Sequence, residues 1–183
     1  MSYKGAPMMS KHQTWATPWG VVEHIEGELG INFDLEAAAE DTTAKAPSWF
    51  TAEDDALQQD WFGDVWLNPP FGRGGALQRQ FIEKAARECE LGHARTVTCL
   101  IPARTDTRLF HDIIARRAHR VWFVNGRINF LKPGSTVPGA NATFPSMVVL
   151  FKRRARHPRK RTRQRRGVQM GTMDIPQHVR RGL

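Results

Sequence analysis

Short apolar runs alternate along this chain with segments whose apolar residues recur every three or four positions. The runs predict buried strands, and the recurring spacing predicts amphipathic helices. Helices are expected over residues 19–29, 76–91 and 107–117, and residues 40–64 are polar and irregular. The predicted strands are residues 31–35, 65–67, 96–101 and 120–124, followed by an antiparallel pair, 128–130 with 146–151.

This order of elements indicates an α/β fold. Continuous apolar strands between helices predict a mostly parallel sheet covered on both faces, with the last two strands as an antiparallel hairpin at one edge. Ligands of such sheets bind beyond the carboxyl ends of the strands. Residues 34–39 and 68–71 follow predicted strands, so both segments are expected at that edge.

Charge divides the chain into a nearly neutral body and a basic C-terminal segment. Residues 152–183 hold 12 of the 27 Lys and Arg residues and one of the 18 acids. We predict a flexible N-terminus over residues 1–13, one domain over 14–152 and a disordered basic tail over 153–183. Such a tail either contacts nucleic-acid phosphates, through residues that include Arg153, Arg154 and Arg156, or only keeps the protein soluble.

Other features exclude several classes of protein. No apolar stretch has membrane-spanning length and no leader is evident, which predicts a soluble cytoplasmic protein. Cys89 and Cys99 do not form a CxxC pair and are expected to be reduced, buried thiols. The seven histidines show no metal-ligand spacing, so no metal site is predicted.

The segment Asn68-Pro69-Pro70-Phe71 carries the strongest chemical signal. Both prolines fix φ and remove backbone donors, and Pro69 keeps Asn68 out of the helical region. The resulting stiff turn presents the Asn68 side-chain oxygen, the Pro69 carbonyl and the Phe71 ring. Two acceptors and an aromatic face suit a planar substrate with an exocyclic amino group. The alternative is an ordinary turn with Phe71 in the core.

Six segments occur together in an order that resembles the phage-type, Dam-like DNA N6-adenine methyltransferases. The resemblance covers roughly residues 14–151. Its segments are Trp15-Ala16-Thr17-Pro18, the run from Phe33 to Ala39, Asp55-Ala56-Leu57 with Trp61, Leu67 to Phe71, Pro102 to Thr107, and Gly126 to Phe130. The family implies a Rossmann-like methyltransferase sheet, S-adenosylmethionine as cofactor, duplex DNA as partner and a phage or prophage origin in a bacterial host.

The resemblance also implies the chemistry of the turn. Asn68 Oδ1 and the Pro69 carbonyl would accept both N6 hydrogens of adenine, Pro70 would stiffen the turn, and Phe71 would stack on the base. The amine is buried in a duplex, so the base must be flipped out. Positioning and electrostatics are then the protein's contribution, with no metal required.

Cofactor contacts are implied at Trp15, Thr17, Pro18, Asp34, Glu36, Ala37 and Asp55. Glu36 or Asp34 would bind the methionine ammonium, directly or through water, or a ribose hydroxyl. Asp55 would accept from the cofactor adenine, or else Asp54 and Asp55 cap a short helix. Trp15 could instead belong to the core. Residues 37–41 lack the glycines of many methyltransferases, although alanine also permits close approach.

Nucleic-acid contacts are expected from arginines in the turns. Arg104 and Arg127 would hold phosphate or pair with acids of the cleft. Arg73 and Arg79 would contact phosphate or lie on a solvated surface. Two rival functions remain at this stage: methylation of an RNA base or a protein side chain, and nucleic-acid binding without catalysis.

Overall fold

The computed structural model describes residues 15–132, 144–153 and 167–182. The predicted flexible N-terminus therefore lies outside the described residues. The helices are α1 (Trp19–Leu29), α2 (Ala76–Leu91), α3 (Ala115–Arg117) and α4 (Gln177–Arg181). The strands are β1 (Leu35–Glu36), β2 (Ser48–Trp49), β3 (Gly63–Leu67), β4 (Ala94–Pro102), β5 (Arg120–Val124), β6 (Ser146–Lys152) and β7 (Gln169–Met173).

The strands form a seven-stranded mixed sheet in the order β2-β1-β3-β4-β6-β5-β7. Strand β6 runs antiparallel to both of its neighbours, and the other pairings are parallel. The predicted mostly parallel α/β sheet is confirmed. Strands β1 to β5 and β7 therefore end at one edge, called here the carboxyl edge, and begin at the opposite amino edge.

The predicted edge hairpin is wrong. Strand β6 pairs with β4 and β5, and residues 128–130 lie outside the strands. The burial of β6 explains its place, because all its residues except Lys152 are buried. A strand covered on both faces belongs in the interior of a sheet, whereas an edge strand keeps a solvated side.

The predicted disordered tail is also wrong over its last part. Residues 169–173 form β7 beside β5, and α4 follows within a few residues. Met173 and Ile175 are buried in the core that contains α1, and Val179 packs against the same core. Burial of these apolar residues stabilises the folded chain, whereas a uniformly basic segment has no apolar side chains to bury. Residues 154–166 lie outside the described residues.

Each face of the sheet has its own core. One contains Phe81, Ile82 and Cys89 of α2 together with Ile113 and Ile114. The other contains Val21, Val22 and Ile25 of α1, as their helical spacing predicts. Gly30 ends α1 in the left-handed conformation at φ 65°, which is a common way for a helix to end.

Two element boundaries differ from the predictions. Residues 31 and 33 are bonded to α1, because the backbone N–H groups of Ile31 and Phe33 donate to the Glu26 carbonyl and side chain. The sheet strand therefore begins only at Leu35. The predicted helix 107–117 is a π-helical segment, Leu109–Ile114, that continues into α3.

Both cysteines are free and buried, as predicted. Burial raises the pKa of the Cys89 thiol to about 12. Within the residues that the structure describes, no helix combines the length and apolar composition needed to cross a membrane.

Candidate active site at the carboxyl edge

Asn68 follows the last residue of β3, and its side-chain amide forms a hydrogen bond with the backbone. Its Nδ2 donates to the Trp15 carbonyl at 2.8 Å. Since the amide nitrogen is the donor in this bond, Oδ1 is left as the acceptor. Pro69 and Pro70 behind it are buried. The turn therefore lies at the carboxyl edge, with its Asn68 amide nitrogen engaged and the Oδ1 acceptor not used in this bond.

Phe71 completes the turn as a half-buried ring that other aromatic residues support. Phe144 approaches it edge-on, with ring centroids 5.7 Å apart. Phe130 lies 6.3 Å from Phe144 on the other side. This packing fixes the orientation of Phe71, and a fixed aromatic face is what stacking on a planar ligand requires.

Residues 15–18 lie beside the turn, as the predicted cofactor contacts require. Trp15 binds Asn68, and the carbonyl of Ala16 accepts from the Leu131 N–H at 2.8 Å. Thr17 and Pro18 are buried, and Pro18 precedes the first turn of α1. Residues 15–18 are distant in sequence from the turn after β3. In the fold they connect that turn with α1 and with the loop after β5.

Glu36 lies at the end of β1 and is 5% exposed. Burial raises the pKa of its carboxyl group to about 7, and the bonded N–H and the ammonium group of Lys45 oppose this effect. The backbone N–H of Lys45 donates to Glu36 Oε2. Ala37 continues the strand at zero exposure, with its N–H bonded to the Trp66 carbonyl. The Glu36 carboxyl group is thus almost fully removed from solvent, and its pKa lies near neutral pH.

Lys45 is a residue that the sequence reasoning missed. It is buried, its ammonium donates to the Thr43 carbonyl, and the same group lies 4.9 Å from the centre of the Trp19 ring. Burial lowers the pKa of Lys45, while the negative charge of Glu36 raises it. A signal was available, because Lys45 is the lone basic residue within residues 40–64.

Asp55 lies in the connection that starts at the carboxyl end of β2. It adopts a left-handed backbone conformation at φ 53°, which is costly for a residue other than glycine. Its side chain is buried, and Oδ1 has no hydrogen-bond partner among the described residues. Asp54, in contrast, accepts from Thr51 N–H and Oγ1. The helix-capping alternative therefore fits Asp55 poorly.

Several buried polar atoms without a partner in the described part of the chain lie in segments at the carboxyl edge. Buried polar groups are normally hydrogen-bonded, so such a group calls for an explanation. A polar ligand that binds along this edge supplies one. The atoms are Thr17 Oγ1, Asp55 Oδ1, Gln78 Nε2, Asn129 Oδ1 and Ser146 Oγ.

Asp34 lies apart from the other residues predicted to contact the cofactor. Asp34 precedes β1 at the amino edge, where Oδ2 accepts from the Asp64 N–H at 2.8 Å and from Arg95 at 3.1 Å. Arg95 also binds Asp64 at 2.6 Å. Asp34 thus belongs to an ion-pair cluster at the amino edge of the sheet, whereas Asn68 lies at the carboxyl edge. Glu36, two residues later, is the acid at the carboxyl edge.

The arginines predicted to contact nucleic acid also lie in different parts of the fold. Arg104 and Arg127 are exposed and follow β4 and β5 at the carboxyl edge. Arg79 is paired with Glu83 at 2.9 Å on α2. Arg153 lies at the amino edge, where its N–H donates to the Arg95 carbonyl at 3.0 Å. The Arg73 side chain, Arg154 and Arg156 lie outside what the structure describes.

One side-chain group bears on the prediction that no metal binds. His93 Nδ1 lies 2.9 Å from Glu88 Oε2 and 3.6 Å from Asp60 Oδ1, close enough for the three to share an ion. Glu88 also forms an ion pair with Lys84 at 2.9 Å. The Lys84 ammonium group therefore provides a positive charge beside the buried Glu88 carboxylate.

Comparison with known proteins gives the family. The profile of the DNA N-6-adenine-methyltransferase (Dam) family matches residues 6–172. The chain belongs to this family. The match extends into β7, beyond the part of the chain in which the sequence motifs lie. The resemblance to the Dam-like enzymes is therefore confirmed at the level of the family.

A similar curated relative is the DNA N-6-adenine-methyltransferase of Escherichia phage T1, with 32% identity over 111 residues. The match spans 59% of this chain and 43% of the relative, so the chain matches less than half of that protein's length. Two solved structures are distant. A proposed RNA methyltransferase from Pyrococcus horikoshii has 16% identity and a TM-score of 0.44, over 74% of this chain and 70% of that chain. A proposed class I S-adenosylmethionine-dependent methyltransferase from Listeria monocytogenes has 10% identity and a TM-score of 0.44, over 83% and 53%.

Proposed function

We propose that this protein transfers a methyl group from S-adenosylmethionine to the N6 amino group of adenine in DNA. The observation that carries the proposal is the geometry of Asn68. Its Nδ2 is bonded to the Trp15 carbonyl, which leaves Oδ1 as the side-chain acceptor of the turn that Phe71 completes. Membership of the Dam family supports the choice of adenine in DNA.

The turn's own atoms suit the substrate amine. The lone pair of an aromatic amine is delocalised into its ring, so the amine is a poor nucleophile. Asn68 Oδ1 and the Pro69 carbonyl would accept its two hydrogens and localise the lone pair. Phe71, supported by Phe144, would stack on the base after it leaves the duplex.

The residues at the carboxyl edge fit the cofactor. Thr17 Oγ1 and Asp55 Oδ1 are buried polar atoms without a partner in the described chain, and a bound nucleoside would supply both. Glu36 offers a carboxylate for a ribose hydroxyl or an ammonium group, and Ala37 lets the backbone approach closely. When bound, S-adenosylmethionine supplies the electrophilic methyl group. Trp15 and Pro18 would form the adjoining wall.

A cofactor titration separates catalysis from simple nucleic-acid binding. We expect S-adenosylmethionine to bind the wild-type protein and to bind Asp55→Asn more weakly. The matched control is Asp41→Asn, because Asp41 is exposed and accepts a hydrogen bond from the Trp49 indole N–H. Calorimetry that detects no cofactor binding by wild-type protein would favour the non-catalytic alternative.

The class of substrate is tested separately by offering DNA, RNA and protein with a labelled methyl donor. The proposal predicts label in DNA. Preferential labelling of RNA or protein would replace DNA by the rival substrate while leaving the acceptor role of the turn intact.

A further inference from the structure

The helix α4 and the loop after β5 hold each other at the carboxyl edge. The Asn129 N–H donates to the Arg180 carbonyl at 2.9 Å. Asn125 Nδ2 donates to Asp174 Oδ1 at 2.9 Å. Gly126, at φ 90°, lies so close to the Arg180 guanidinium that a side chain there would overlap it. These two segments therefore form one surface.

This surface is connected to the catalytic turn by a short path. Leu131 in the same loop donates its N–H to the Ala16 carbonyl, and the adjacent Trp15 carbonyl binds Asn68. From Trp15 the path runs one residue along the chain to Ala16 and crosses a hydrogen bond to Leu131. It then runs two residues back to Asn129 and crosses a second hydrogen bond to Arg180. The distance between the Cα atoms of Trp15 and Arg180 is therefore at most about 22 Å.

The surface presents positive charge that acids do not neutralise. Arg127 and Arg181 are exposed. In the parts of the chain that the structure describes, neither they nor Arg180 has a carboxylate within ion-pairing distance. Arg180 is held by its Nε, which donates to the Ile175 carbonyl at 2.8 Å. Three arginines elsewhere are paired with acids: Arg79 with Glu83, Arg95 with Asp64 and Arg117 with Glu90.

The described residues on either side of the Arg-rich segment 154–166 lie at the amino edge. Arg153 before it is bonded to Arg95, at the start of β4. Gln169 after it begins β7 opposite Arg120, the first residue of β5. Both ends of that segment are therefore anchored at the amino edge, whereas α4 lies at the edge that carries Asn68.

We infer that Arg127, Arg180 and Arg181 contact backbone phosphates of the DNA next to the base held by Asn68. The inference rests on the proposed function. A rise of 3.4 Å per base pair would place these contacts within about seven base pairs of the flipped adenine. Phosphate contacts position a duplex without reading its sequence, so this surface would fix the orientation of the target strand.

The test compares two double variants with the same change in charge. Arg127→Gln/Arg181→Gln alters the proposed surface and leaves the structural Arg180 in place. The control, Arg87→Gln/Arg116→Gln, removes two exposed arginines from α2 and α3, on the opposite face of the sheet. DNA affinity is measured against salt concentration without cofactor, after urea unfolding has confirmed that both variants are folded.

We expect the slope of log affinity against log salt to fall by about 0.9 for each lost contact, hence by about 1.8 for Arg127→Gln/Arg181→Gln. The control should keep the wild-type slope, and Arg127→Lys/Arg181→Lys should restore most of it. Equal slopes for the two Gln variants would overturn the inference. This readout needs no methyl transfer, so a failure here and a failure of the proposed enzyme activity are separate results.

Discussion

The buried carboxyl group of Glu36 is expected to reduce the stability of the protein at neutral and alkaline pH. Its folded-state pKa of about 7 lies above the ordinary glutamate value of 4.5. Between these two values the folded state binds more protons than the unfolded state, so the free energy of unfolding falls as the pH rises. Glu36→Gln removes this titration and keeps a side-chain oxygen for the Lys45 N–H.

The size of the effect follows from the shift in pKa. Each pKa unit corresponds to about 1.4 kcal/mol, so the variant should be more stable than wild type by roughly 3 kcal/mol near pH 8. The gain should shrink to under about 1 kcal/mol near pH 5, where the wild-type carboxyl group is protonated in the folded state.

Urea unfolding of both proteins at these two pH values measures the difference. The control is Glu23→Gln on α1, where the acid is exposed and a change within about 0.5 kcal/mol is expected. A gain for Glu36→Gln that is the same at both pH values, or absent, would refute the argument from burial.

The same substitution tests the role of Glu36 in binding. Loss of a charge-assisted hydrogen bond should weaken S-adenosylmethionine binding by on the order of 2 kcal/mol at pH 8. A variant that is more stable but binds the cofactor less well would mean that the carboxylate is kept for function at the expense of stability. Unchanged calorimetric affinity would remove Glu36 from the cofactor site.

Three further predictions concern the turn and the basic segment. Asn68→Ala should bind cofactor normally and lose most methyl transfer, because it deletes an acceptor for the reacting amine; near wild-type turnover would contradict this role. Phe71→Tyr should be tolerated in DNA-binding assays, whereas Phe71→Ala should weaken engagement of the flipped base by about 1–3 kcal/mol, and equal affinities would argue against stacking. Replacing residues 154–166 with a Gly/Ser linker of equal length should flatten the salt dependence of DNA binding. Deleting residues 153–183 should instead unfold the protein, because the deletion removes Met173 and Ile175 from the core. A deletion variant that is folded, as measured by thermal unfolding, would contradict this assignment.

The sequence was most informative where one residue pattern had one physical outcome. Helical spacing identified α1 and α2, and a short apolar run before the two prolines located the end of β3. The carboxyl-edge position of Asn68 and Glu36 followed from the strand order alone. These features depend on local periodicity and on the general geometry of parallel sheets.

Pairings between distant segments could not be predicted in the same way. Strand β6 was assigned to a hairpin with its neighbour in sequence, but its continuous burial requires an interior position between β4 and β5. The charge of residues 153–166 concealed the apolar residues Met173 and Ile175 that follow. Asp34 and Glu36 differ by two residues, yet a two-residue strand places them at opposite edges of the sheet.

The contacts that orient the turn were likewise invisible in the sequence. Trp15 and Asn68 are 53 residues apart, and their hydrogen bond depends on the whole fold. Lys45 is drawn beside Glu36 because the chain returns from β1 to form β2. Sequence motifs predicted the reacting residues, and only the structure identified the groups that contact them.

The most direct test of the central claim is the chemical identity of the methylated product. Duplex DNA is incubated with the protein and S-adenosylmethionine, digested to nucleosides and analysed by mass spectrometry. The account predicts N6-methyldeoxyadenosine with wild-type protein and its near absence with Asn68→Ala. A methyl group on any other position of DNA, or equal product from both proteins, would contradict the proposal that the Asn68 turn holds the adenine amino group for methylation.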